Sequence, residues 1–281
     1  MGFFMLARVY GFNWDVYTDT IMPAFTRWLV HEDEQMIRQL YEQTRCAGEE
    51  QFTPALMQSI RTWPRAQAFV QQLPQSSYTQ REYQLLCDPE SFTAMSDIYV
   101  HHHPPRLYRQ SNALRVIWGA LIEHHCLCCF TLPDLDDTSG IFEGQEMSLM
   151  ANGAVLGHHP ATIHLRGWLA TISVRAMALF EFLACGRRCM PFGYRSGEPY
   201  EDSVGYLTPL EVLRLATCLR HSEAPEPLSA ERDYAHFRLI QDRRITDPRL
   251  LDEVLPAHAG PFLEIVRLAA QSGIGLLCRV E

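Results

Sequence analysis

The strongest constraint on what this chain can fold into lies at its two ends. Near the start, "FFMLARVY" (residues 3–10) is apolar and aromatic and lacks proline, which predicts a strand from Phe3 to Tyr10. Near the end, "IGLLCRV" (residues 274–280) follows a helix-stopping Gly273 and predicts a strand from Ile274 to Val280. A buried strand must find partners for its N–H and C=O groups. The simplest solution pairs the two strands with each other, so the chain leaves one small sheet and returns to it. The fold class expected is α+β, predominantly α-helical: a small sheet pairing the N-terminal and C-terminal strands, with a large helical insertion.

Helical periodicity fills most of the interval. Val16, Ile21, Phe25, Trp28 and Leu29 share a broad face, continued by Met36, Ile37 and Leu40. Pro64 kinks or splits the helix of residues 53–73. Two shorter helical segments are expected over 79–98, and a long apolar helix over 112–129. Residues 131–153, "TLPDLDDTSGIFEGQEMSLMANG", are acidic and glycine-containing and predict a loop or short hairpin. Their "DLDDTSG" fails as a calcium loop, because the glycine comes one place late and no Glu holds the twelfth position. "TISVRAMALFEFLACG" (171–186) predicts one buried helix stopped by Gly186. In "YLTPLEVLRLATCLRH" (206–221), Thr208 is the N-cap, Pro209 is N1 and Glu211 at N3 completes a capping box. Leu207 and Val212 form its hydrophobic staple, and Val212, Leu215, Ala216 and Leu219 line its apolar face. Further helices are expected from Ala230 to Gln241 and from Asp247 to Leu255. The division expected is an N-terminal strand plus helical subdomain over 1–135, a connecting loop over 136–153 and an α+β half over 154–281, or else one continuous domain.

Composition removes several functions. All 24 basic residues among the 281 are arginine. A chain without lysine cannot by itself run P-loop or protein-kinase phosphoryl transfer, Schiff-base chemistry or S-x-x-K serine hydrolysis. The net charge of −9 argues against a nucleic-acid binder, despite the arginine pairs at 187–188 and 243–244. The apolar and charged fractions, 47% and 20%, suit a globular core. "MGFFMLARVYGF" shows no basic leader, and Arg175 and Glu181 interrupt the most apolar later stretch, so no targeting signal or membrane span is expected. Nine cysteines without a secretory leader predict a reducing cytoplasm, with the cysteines mostly as thiols.

Three pieces carry a resemblance: "ALFEFLACG" (178–186), "SGEPYEDSVGYLTPLEVLRLATCL" (196–219) and "FLEIVRLAAQSGIGLLCRV" (262–280). Together with the N-terminal strand, they resemble the YfbM-like bacterial family of unknown function, a cytoplasmic α+β family. The resemblance implies a fold and no catalytic residue. A histidine expected in that family's buried helix falls near Phe180 or Glu181 here, where this chain departs.

"IEHHCLCCF" (122–130) is the densest run of metal-ligating types. On a helix at about 100° per residue, His125 falls mid-stripe. His125 and Cys129, like His124 and Cys128, are four apart. A zinc or other transition-metal site would draw its remaining ligands from His101, His103, His158 and His159. The alternative is a core built from soft side chains, since buried cysteine packs as a small hydrophobe. Cys126 and Cys129 form a C-x-x-C with no second half, at the end of a helix rather than its start. Cys185 and Cys189 of "CGRRC" stand beside two guanidinium groups that favour thiolate, against the plainer reading of a packed helix end. No H-E-x-x-H, G-x-S-x-G or dinucleotide-binding loop is present, and no carboxylate pair is marked out as acid and base.

The function expected is therefore non-catalytic: a cytoplasmic bacterial protein acting by macromolecular binding, such as a toxin-neutralising or defence-associated accessory, with no cofactor and a partner bearing a basic surface. The alternatives are a metal-dependent hydrolase using the His/Cys cluster and a small-molecule binding protein.

Overall fold

The computed structural model describes residues 6–47, 121–127, 149, 152–158, 161–185, 205–242 and 249–280. The helix about Pro64, the segments over 79–98 and Gly186 lie outside them. The chain divides into two compact units. One comprises Met1–Phe12, Leu132–Cys189 and Gly197–Glu281; the other comprises Asn13–Thr131 and Met190–Ser196.

The first unit is built on a four-stranded antiparallel sheet. Strands β1 (Leu6–Phe12), β2 (Ala154–His158), β3 (Gly205–Leu207) and β4 (Gly275–Val280) lie in the order β2-β1-β4-β3. The two end strands do pair, from Ala7 opposite Val280 to Phe12 opposite Gly275. β1 runs two residues beyond the expected Tyr10. The outer strands were not foreseen: each is short, and β2 hides its period-2 signal behind Gly157. There the β1–β2 register slips between Ala7 and Arg8, and Gly157 takes φ 86°.

Four helices cover the sheet face that carries Ala7, Val9, Leu156, Leu207, Leu276 and Cys278. They are α4 (Ala161–Ile172), α5 (Val174–Ala184), α6 (Pro209–Leu219) and α8 (Ala259–Ser272). Phe180 of α5 meets Phe262 of α8 edge-on at 5.2 Å, both fully buried. The single helix expected over 171–186 is two. Ser173 leaves helical geometry and its side chain accepts from Ala176 N–H, so α4 ends and α5 is capped at one residue. The Thr208–Glu211 capping box is formed as expected, with Leu207 and Val212 both buried beside it. α8 closes with Gly273 at φ 65°, its N–H on Ala270 and Ile274 N–H on Ala269, a Schellman stop.

A further helix of the unit, α7 (Pro227–Asp242), buries Ala230 and Phe237. The helix expected from Asp247 to Leu255 is, where described, a single 3₁₀ turn over Leu251–Glu253, after which Val254 is extended. The loop expected over 131–153 is helical at Leu149 and Asn152, where Gly153 N–H donates to Leu149 O. Gly153 must be glycine: it sits at φ 72°, and a Cβ would stand 2.8 Å from the Tyr10 ring.

In the second unit, α1 (Trp14–Val16) is capped by the Asn13 side chain and runs through a π-helical turn (Tyr17–Ile21) into α2 (Met22–His31). Ile21 and Phe25 are buried as expected, but at the start of the turn the buried residue is Tyr17 rather than Val16. A π turn holds about 4.4 residues instead of 3.6, so the apolar face shifts by one position. α3 (Gln35–Ala47) buries Ile37 and Tyr41. No helix among the described residues is long and apolar enough to cross a membrane.

Candidate functional site

The histidine pair sits in the second unit. Residues Ile122–Cys126 are a second π turn, closed by Leu127 N–H on Ile122 O at 3.1 Å. Asn13 N–H caps it from outside, donating to Cys126 O at 2.8 Å. Leu121, Ile122, Cys126 and Leu127 are buried, and His124 and His125 are half-buried. The long α-helix expected over 112–129 is therefore corrected at its end, because Leu127 is extended (φ −78°, ψ 131°). The one-turn pairings of His125 with Cys129 and of His124 with Cys128 needed helix through 129, whereas the described turn ends at Cys126. Cys128 itself lies outside the described residues, as do Cys129, His101, His103 and His159. His158 ends β2 opposite Leu6, and its side chain is not described.

The two described histidines meet each other, ring edge to ring face at 4.7 Å. His125 Nε2 lies 3.2 Å from Leu40 O. A carbonyl can only accept, so Nε2 carries the proton and Nδ1 holds the lone pair in the neutral ring. Burial, and then the neighbouring His125, push the His124 pKa below its ordinary value. The neutral ring thus favoured at His124 is the state that binds metal, but no group of three metal-ligating side chains forms among the described residues.

The first unit holds a charged cluster that the sequence did not announce. Arg166 of α4 donates through Nε to Glu181 of α5 at 2.5 Å and reaches Asp252 of the 3₁₀ turn at 3.5 Å. Glu181 is buried among apolar neighbours on α5, where a carboxylate without a partner would be costly. A lone Glu inside "AMALFEFLA" was the available signal, and its partner lies 15 residues upstream. The cluster ties α4, α5 and the 3₁₀ turn together, and its cation is already matched by two carboxylates. Cys185, half of "CGRRC", is a fully buried thiol closing α5; Cys189 lies outside the described residues. Cys126, Cys218 and Cys278 are thiols as well.

One surface feature of the unit lies on α6. Its inner face buries Val212, Leu215 and Leu219, while Leu210 and Leu213, one turn apart, are 56% and 53% exposed. Arg214, Thr217, Arg220 and His221 complete that outward face and are all exposed. Among the described residues neither arginine has a carboxylate partner, and no acidic side chain lies on that face.

No family model, no curated protein and no solved structure matches the chain.

Proposed function

We propose that the protein works without catalysis, by binding another macromolecule through the outward face of α6. The observation that carries this is the pairing of two exposed leucines with two unmatched arginines on a helix whose opposite face is locked into the core. Exposed apolar side chains beside unpaired cations are the chemistry of a docking face rather than of a solvated one. The chain's net charge of −9 favours a partner with a basic surface at long range. At α6 itself, the docked segment supplies carboxylates beside apolar side chains. Membership of the YfbM-like family, on the residues quoted above, belongs to the same proposal. Affinity purification from the native source with wild type and with a Leu213→Glu, Arg214→Glu variant tests it. The wild type retains a stoichiometric partner that the equally folded variant loses; a wild type with no such partner overturns it.

A metal-dependent hydrolase is the second reading, favoured by His125, whose contact with Leu40 O leaves Nδ1 available as a ligand. Elemental analysis of untagged protein purified without chelator tests it. Near-stoichiometric zinc, iron or manganese, lost in His124→Ala and His125→Ala, supports a metal centre; metal-free protein sinks it.

A further inference from the structure

α7 presents a second exposed face, and its pattern differs from that of α6. The helix turns Ala230 and Phe237 inward, with Tyr234 against His164 at 5.3 Å and Phe237 beneath the Arg249 guanidinium at 5.8 Å. Opposite them, Leu228, Arg232, Ala235 and Leu239 are all exposed, the two leucines at 57% and 53%. These positions follow one another at spacings of four, three and four, the recurrence of a helix–helix seam. One flank of that seam carries Glu231 and Arg238, seven residues apart and both exposed. Among the described residues neither has an ionic partner.

We infer that α7 is the interface of a homodimer, in which a second copy of the chain lays its own α7 antiparallel along this face. A two-fold axis passing near position 234 sets Leu228 opposite Leu239 of the second copy, and Leu239 opposite its Leu228. Arg232 then lies across the small Ala235, where its stem packs and its guanidinium reaches water. The same axis brings Glu231 to Arg238 of the second copy, and Arg238 to its Glu231. Two leucine layers and two ion pairs close on themselves, as an isologous contact requires. A parallel pairing has no such match: it sets Arg232 against Arg232 and leaves Glu231 and Arg238 without each other. The helix is about 24 Å long, so the seam is short and the dimer dissociates in the micromolar range, on the order expected of a small interface. This inference uses a different face from the one proposed for α6 and stands or falls independently of it.

Sedimentation equilibrium of the full chain, from low to high micromolar concentration, tests the inference. Wild type shifts from monomer to dimer. Glu231→Arg and Arg238→Glu each turn two attractive pairs into two repulsive ones and weaken the dimer about tenfold or more, whereas the double reversal restores it. Leu239→Glu abolishes the dimer with the circular dichroism spectrum unchanged. A wild type that stays monomeric at high micromolar concentration overturns the inference. So do single reversals without effect, a double reversal that fails to rescue, or a dimer indifferent to Leu239→Glu.

Discussion

Asp233 shows how one side chain fastens an irregular segment to a helix. It lies on α7, accepts from Arg249 at 2.8 Å through one oxygen and from Leu255 N–H at 3.0 Å through the other. Burial alone would raise its pKa, but the Leu255 N–H, the Arg249 side chain and the charge of His236 outweigh burial and lower it. A carboxyl whose folded pKa is depressed adds stability above its ordinary value of about 4, and that stability is lost as pH falls through the folded value. Asp233→Asn should therefore be less stable than wild type at neutral pH, by about 1–2 kcal/mol for charge-assisted hydrogen bonds at a half-buried site. The deficit should shrink as pH drops below 4. Denaturant midpoints for both proteins at a series of pH values check this; a deficit that persists unchanged in acid excludes the linkage. None of this was legible in the sequence, because Asp233 and Leu255 are 22 residues apart and nothing local marks either as a partner.

Among the elements, α4 carries the clearest conflict between local preference and packing. Gly167 sits inside the helix, where Ala would be favoured by about 1 kcal/mol. A Cβ there would stand 1.7 Å from the carbonyl oxygen of Asp252, a backbone atom with no rotamer to yield. Overpacking against backbone costs about 1–3 kcal/mol, so packing wins and Gly167→Ala should destabilise the chain. Urea denaturation with an unchanged m-value checks the sign; an Ala variant as stable as wild type would mean that the 3₁₀ turn moves away freely. Two other differences at this scale share one cause. A 100° wheel assumes 3.6 residues per turn, so both π turns displaced the side chains it assigned, Val16 in one case and the His124–His125 environment in the other. The capping box at Thr208 and the glycine stop at Gly273 were read correctly, because their chemistry is complete within a few consecutive residues.

At the scale of the whole molecule, the first unit is held by contacts that join distant stretches of chain. β1 begins at Leu6 and β4 ends at Val280, yet they are hydrogen-bonded neighbours at the centre of the sheet. That pairing followed from the sequence alone, since two apolar strands with unmet backbone groups leave few other solutions. The helical covering belongs to the same category: it is set by residue type and local periodicity. What only the tertiary structure decided is which side chains meet. Arg166 finds Glu181 and Asp252, Asp233 finds Arg249 and Leu255, and His125 finds Leu40, each across a gap that local spacing does not encode. The outward leucines of α6 and α7 likewise became visible only once the inward faces were known, because a helix shows its free side by what it leaves uncovered. Backbone preference and apolar period act over a few residues, whereas charge pairing and exposure depend on where the rest of the chain comes to lie.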